Sequence, residues 1–473
     1  MTSPFGTQAQ TSIIKSIPLD IVGGNTFGQY QKISSAETFN MMMSDNALVP
    51  FFGYKTASII SPNGEAREIY NSVRFNHLIV VVDNGVYTVD TGLGVSLVGR
   101  LNTSSGQVYI AENLAEEIAI VDGLFVYLFN YNLNTFSVIT VDFSPVYIAY
   151  QDTYFIAAAG GTNQWRLSGN NDGTSWPPDA QHVGDLQTKP VNCTATVPLN
   201  RQLFIFGQTV SEPWYDVGAT LFPYQRSNAF AIGMGVLSPA TIATNKDIMV
   251  WLGSNEKSGT GIFVSTGGEP QQISTDGINF KLNQLTAPQN SFGFLFKLNG
   301  HIFYQITFTT DNLTYVYDFE TKKFFTLTDQ NLNHHIAKRM AFFNGNYYFV
   351  SFIDGNLYQM GSEYYTYDGN EIPRIRFPSH IRLPNAARFR VTQLNLTMQQ
   401  GVGTDPARVD LSISKDGGIS YGNVVSRYLN LQGNVPNKFR FFNVGVSNDL
   451  VPQFRFWGLN NFVVTNGIAE LYA

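Results

Sequence analysis

One cysteine, Cys193, stands in a chain of 473 residues, so no intrachain disulfide can form and no thiolate cluster can hold a metal. Charge is scarce too. Asp, Glu, Lys and Arg make up 14% of the residues, well below the usual quarter or so. No apolar run approaches the ~20 residues needed to span a bilayer, and the longest, such as His77 to Asp83, has the length of a strand. The opening MTSPFGTQAQ has neither the basic nor the apolar region of a secretory signal. These absences predict a soluble chain, without a membrane-spanning segment, made in a reducing cytoplasm.

Catalytic signatures are missing in the same way. There is no GxSxG, no phosphate-binding glycine loop and no dinucleotide fingerprint. None of the six histidines, His77, His182, His301, His334, His335 and His380, has a histidine four residues on. His334 and His335 are adjacent, which on a strand sends them to opposite faces. Glu116 and Glu117 are also adjacent, so a glycosidase pair has no local support, although carboxylates can meet in the folded chain. The segment SGNNDGTSW (Ser168 to Trp176) starts like a calcium loop but lacks the closing Glu, and reads as a turn. No catalytic, cofactor-binding or metal-binding residue is therefore assigned, no cofactor is expected, and the chain reads as a non-enzyme.

What the chain has is aromatics and turns. It holds 37 Phe and 24 Tyr, and 44% of its residues are hydrophobic, enough for substantial cores. A surface poor in charge and rich in aromatics suits protein contact, while β-rich chains are aromatic in any case. Residues 371–473 carry 11 Lys+Arg against 6 Asp+Glu, and the first 370 carry 18 against 29. The acidic bulk argues against tight binding along a phosphate backbone. The basic end, with Arg374, Arg376, Arg382, Arg388 and Arg390 close together, suits an acidic protein partner better than nucleic acid.

Almost every apolar segment is short, β-branched or aromatic, and bounded by Gly, Asn or Asp. Asn84-Gly85, Asn299-Gly300, Asn344-Gly345 and Asp354-Gly355 each sit between such runs and predict hairpins, because a tight two-residue turn needs positive φ. Asn113 to Glu117 and Asp276 to Leu285 are the only helix candidates. Hairpins recur at irregular spacing from about residue 60 to 365, which favours an irregular β-propeller over a stack of sandwiches; TYVYDFETKKFFTL (Thr314 to Leu327) has the habit of a blade. Prolines at 373, 378 and 384 then break the chain, and alternating strands follow. In RVDLSIS the inward set is Val409, Leu411 and Ile413. The predicted fold is all-β: an N-terminal arm with first strands (1–60), a propeller-like core (61–370) and a C-terminal antiparallel β-sandwich domain (371–473).

Three segments in order carry a resemblance: RLSGNNDGTSWPPDAQHVGD (Arg166 to Asp185), LFIFGQTVSEPWYDVGATLFPYQRSNAF (Leu203 to Phe230) and MVWLGSNEKSGTGIFVSTGGEPQQISTDGI (Met249 to Ile278). They resemble the tail accessory proteins of short-tailed bacteriophages, also called packaged-DNA-stabilisation or nozzle proteins. Ala36 to Ala57, Pro270 to Leu282 and the closing strands from SKDGGISYGN onward are similar to that family as well, while Ala157 to Gly161 departs from it and the first hundred residues as a whole match it weakly. The resemblance implies a virion protein of the phage tail, assembled in the host cytoplasm. It implies a homo-hexameric ring below the portal adaptor ring, with head-to-tail contacts. Such a ring closes the head, retains packaged double-stranded DNA, and lets it through the lumen without sequence-specific binding. It also offers sites for tail fibres, spikes or a plug. The competing reading is a receptor-binding or polysaccharide-degrading tail protein on a propeller scaffold, but the five Trp (165, 176, 214, 251 and 457) are scattered.

Overall fold

A computed structural model describes residues 14–28, 35–219, 221–227, 232–255, 259–384, 386–400, 408–428, 437–459 and 461–472. The chain divides into two compact units: Phe52–Lys322 with Leu327–Gly369, and Met1–Phe51 with Lys323–Thr326 and Asn370–Ala473.

The first unit is a β-propeller. Among the described residues seven sheets follow one another in sequence, antiparallel except where Thr366–Tyr367 pairs parallel with Gly53–Ser61 in the last. Their innermost strands start at Ala66, Tyr109, Pro145, Cys193, Gly235, Phe292 and Ala337. The second strands of these sheets are buried on both faces, so they read as continuous apolar runs rather than alternating ones. His77–Val82, for example, is buried from its second residue to its last. Ring closure comes from the chain's other end. Gly53–Ser61 pairs antiparallel with Gly355–Gly361 and completes the last sheet, removing an edge that would otherwise lie open. The sequence reading grouped this strand with the N-terminal arm; it belongs to the propeller unit.

Three of the four predicted turns have the tight form, two of them at the predicted residues. Asn299-Gly300 and Asn344-Gly345 are two-residue loops with φ of 49° and 84°, and 46° and 81°, between the pairs Leu298↔His301 and Phe343↔Asn346. At the first site the loop is Asp83-Asn84, and Gly85 already pairs with Val82. At the fourth, Asp354 heads a wider loop, accepting from Asn356 N and the Tyr358 hydroxyl. Asp276–Leu282 is a helix capped by Thr275. Asn113 to Glu117 is not. There the Asn113 side chain accepts from Ala115 N and Glu117 N, bending the backbone into a hairpin turn in place of a helix.

The second unit is a sandwich. One sheet carries Met41–Ser44, Ala47–Pro50, Phe462–Tyr472, Phe389–Gln400 and Asn437–Ser447, with Ile14–Pro18 on Phe462–Tyr472. The other carries Glu37–Phe39, Arg374–Phe377, Asp449–Trp457, Arg408–Ser414 and Val425–Tyr428. Leu394, Leu396, Phe441 and Leu471 of the first sheet meet Val409, Leu411, Phe454 and Phe456 of the second in one core. Ile413 packs at its margin. The described residues among 14–51, read from the sequence as part of an arm with first strands, belong to this unit. Asp410, expected to face outward, is covered, because the Trp457 indole donates to it at 2.6 Å.

Candidate functional site at the propeller axis

The innermost strands converge on a cavity of about 270 Å³. Its polar wall comes from Glu68 on Ala66–Ser72 and Arg339 on Ala337–Phe343, with Tyr109 and Tyr147 from the next two sheets. Arg339 Nε meets Glu68 Oε2 at 3.1 Å, while its Nη1 donates to the carbonyls of Ala240 (2.6 Å) and Gly293 (2.5 Å). One guanidinium thus ties the last sheet to the first and to the two that precede it. Lys338 points elsewhere and holds Glu65 at 2.8 Å. Burial raises the Glu68 carboxyl, with Arg339 opposing that rise. It also lowers the Lys338 ammonium, against the pull of Glu65. The Tyr109 and Tyr147 rings lie 4.3 Å apart, and burial pushes the Tyr147 hydroxyl up to about 12. Chemically this is a neutralised clamp. A cavity of this size admits no nucleic-acid strand.

The sequence reading missed this pair. The signal was there: Arg67-Glu68 and Lys338-Arg339 are charged doublets inside otherwise apolar strands, and adjacent residues on a strand face opposite ways. Arg67 takes the other face, fully buried, and donates to the carbonyls of Asp83, Thr103, Ser105 and Gly106.

The residues singled out in the sequence do not converge. Glu117 accepts from Gly173 N at 2.8 Å, so one of the two adjacent glutamates ties down the SGNNDGTSW turn. Asp172 accepts within that turn from Thr174 N. His335 is fully buried beside Gln305, and burial drops its imidazole to about 3; His334 stacks on Phe352. Cys193 is buried in an apolar cluster and its thiol is pushed up. No group of three or more His, Cys, Asp or Glu stands at metal-binding distance among the described residues. Of the five clustered arginines, Arg374 and Arg376 are fully buried in the sandwich. Arg376 donates to the carbonyls of Asp20 and Gly24, and Arg374 to that of Gly458. These two are structural, which leaves Arg382, Arg388 and Arg390 exposed.

Residues 35–364 match the phage-stabilisation family described as Bacteriophage P22 Gp10, beta-propeller. The chain belongs to that family. It is a bacteriophage structural protein with a propeller fold, as the sequence resemblance implied. Comparison with curated proteins gave no match. Among solved structures the propeller is similar to a streptogramin B lyase (10% identity, TM-score 0.44, 66% of this chain and 97% of that one). It is also similar to a virginiamycin B lyase from Staphylococcus aureus (12%, 0.47, 66% and 99%) and to the N-terminal domain of Nup159 (9%, 0.42, 69% and 98%). At such identities the likeness concerns the fold alone. No helix among the described residues is long and apolar enough to cross a membrane.

Proposed function

We propose that the protein is a non-enzymatic ring subunit of the phage tail, assembled as a homo-hexamer beneath the portal adaptor, where it closes the filled head and retains the genome until ejection. The family match over residues 35–364 carries this reading. The axis geometry supports a mechanical part: the Arg339–Glu68 clamp shuts each propeller, so any DNA path runs between copies and not through one. The propeller unit's excess of 26 Asp+Glu over 15 Lys+Arg suits a neutral to acidic lumen that keeps a duplex from sticking. Contact with the adaptor falls to Arg382, Arg388 and Arg390, now that Arg374 and Arg376 are accounted for inside the sandwich. Fibres, spikes or a plug would attach to the same ring.

Particles from a phage lacking this gene should package DNA but lose it on standing, and purified protein added to fresh heads should restore retention. Heads that keep their genome without the protein would overturn the reading.

A further inference from the structure

We infer that copies of this chain join head to tail through two complementary surfaces: one side of the sandwich, apolar with basic residues around it, and one end of the next copy's propeller, apolar with acidic residues around it. This rests on the ring reading above and names the faces that such a ring would use, since a heterologous contact needs two different patches on every copy.

The sandwich surface follows from its edges. Among the described residues Val425–Tyr428 pairs only with Arg408–Ser414, and Asn437–Ser447 only with Phe389–Gln400. Arg427 reaches from one edge to the other, lying over the Phe441 ring and donating to the Arg440 carbonyl at 3.1 Å. Beside that bridge a groove of about 230 Å³ stays open between Leu411, Val425, Phe441 and Val444. Edge strands are ordinarily blunted by charge or proline. Here Val424, Val425 and Phe442 stand exposed, the last at 56%. Residues 408–447 hold five Lys and Arg against Asp410 and Asp416. Asp410 takes the Trp457 indole, and Asp416 is occupied within its own turn. Lys415, Lys438 and Arg440 are exposed along these edges.

The second surface lies at the end of the propeller formed by the loops after the first and third strands of each sheet. In the first two sheets these include 73–76, 113–116 and 131–134. They are held side by side: Phe75 stacks on Tyr131 with ring centroids 4.8 Å apart, and Tyr131 N donates to the Glu116 carbonyl at 3.2 Å. Val73, Leu114 and Leu133 project from them 77%, 58% and 68% exposed. The loops at the other end of these two sheets expose Leu124 alone among large apolar side chains. Over the first four sheets the same set of loops carries five Asp and Glu, including Glu116 and Asp152, against Arg74 and Arg201. Burial and the neighbouring Asp216 carboxylate hold Asp152 above its ordinary value, so negative charge at this end is not balanced by cations.

That pairing of charge specifies the partner. Neither surface can meet its own copy without bringing like charges together, and each matches the other in sign and in apolar character. Every chain carries both, so a second copy is the occupant, its propeller end seated on the first copy's sandwich edge.

The test uses the full-length protein in assembled tails. Cys193 is buried, so introduced cysteines react in its place. In tails carrying Leu114→Cys together with Val425→Cys, a short bismaleimide should join copies into a ladder of linked chains, and neither single variant should do so. Amide exchange on the wild type reads the same contact without substitution. Residues 113–116 and 131–134, and with them 422–428 and 441–446, should each slow at least tenfold between the single chain in dilute solution and the tail. No ladder from the double variant in assembled tails, or slowing at one surface alone (as when the adaptor or a fibre covers the sandwich edge), would overturn the inference. Where the double variant does not assemble, exchange decides. Native mass counts the copies per tail separately, so a hexameric tail without these links leaves the ring proposal standing.

Discussion

The propeller unit carries 15 Lys+Arg against 26 Asp+Glu and the sandwich unit 14 against 9, and the axis of the one and the core of the other bury charge by different means. At the propeller axis the buried cation has a covered carboxylate, Arg339 with Glu68, whereas Arg67, on the opposite face of its strand, is held by carbonyls and the Thr103 hydroxyl. In the sandwich, Arg376 is fully buried and donates to two carbonyls and the Thr38 hydroxyl, with its nearest carboxylate, Asp20, 3.5 Å away and half exposed. Burial lowers that guanidinium to about 10, against the pull of Asp20. The difference follows from what each must fasten. Sheets arranged around an axis meet side chain to side chain, so an ion pair can bridge them. Residues 19–28 run irregularly after Ile14–Pro18, and the carbonyls of Asp20 and Gly24 there take a donor with several N–H groups.

The largest expected effect comes from breaking each anchor in turn. Arg339→Met leaves Glu68 covered and unpaired with two carbonyls bare, which should destabilise the propeller by about 3–5 kcal/mol. Arg376→Met strands carbonyls but no buried charge, and should cost the sandwich about 2 kcal/mol. Denaturant titration followed by hydrogen exchange resolves the units. Equal losses for the two variants would erase the distinction.

Next comes the strand that closes the ring. A Cβ on Gly355 would stand 1.8 Å from the Ser61 carbonyl oxygen, which is backbone and cannot step aside. Gly355→Ala should therefore cost about 3 kcal/mol, toward the upper end for overpacking, with exchange rising first in Gly53–Ser61. Unchanged protection there would mean that this pairing does not hold the ring shut.

Acid should separate the units as well. His335 titrates near 3 in the fold and near 6.5 unfolded. Between those values the unfolded chain binds the extra proton, so propeller stability falls as pH drops from about 6.5 toward 3, at about 1.4 kcal/mol per pH unit. The sandwich behaves otherwise. Burial raises the Asp449 carboxyl, but hydrogen bonds from Arg382 and His380 outweigh that and hold it below the usual range. Its contribution is present above the unfolded value near 4 and is lost only as pH falls through the lower folded one. At pH 5 the propeller should have lost about 2 kcal/mol through His335, with no matching loss at Asp449. His335→Gln should flatten the propeller's slope; an unaltered slope would assign it to other groups.

The fold was legible because local chemistry carried it. Asn299-Gly300 and Asn344-Gly345 fix hairpins through positive φ, and runs such as His77–Val82 are long enough to be strands and nothing else. Asn113 to Glu117 misled, since Asn113 has no helical competitor strong enough to outbid its own side chain as an acceptor. The axis pair was illegible for another reason. Glu68 and Arg339 are 271 residues apart, and only ring closure brings them together. The same holds for the N-terminal strands, whose partners lie at the far end of the sequence: Ile17 pairs with Ala469 and Tyr54 with Met360. Arg374 and Arg376 looked like a docking patch because spacing shows charge but not burial.

The smallest effect tests whether the units differ in their turns as they do in their anchors. Gly345 in the propeller and Gly417 in the sandwich have φ of 81° and 78°, and a Cβ at either would meet nothing within 4 Å. Space is free at both, so alanine brings only the left-handed backbone penalty, about 1–2 kcal/mol. Gly345 closes a two-residue hairpin, whereas Gly417 follows Asp416, whose carboxylate accepts from Ile419 N, Ser420 N and the Ser414 hydroxyl. Those bonds hold the Asp416 carboxyl well below the ordinary range and fix the turn independently of residue 417. Gly345→Ala and Gly417→Ala should therefore cost the same within about 0.5 kcal/mol, each in its own unit. A markedly larger loss at Gly345 would mean that the hairpin register of its sheet depends on the turn and not on the buried strands flanking it.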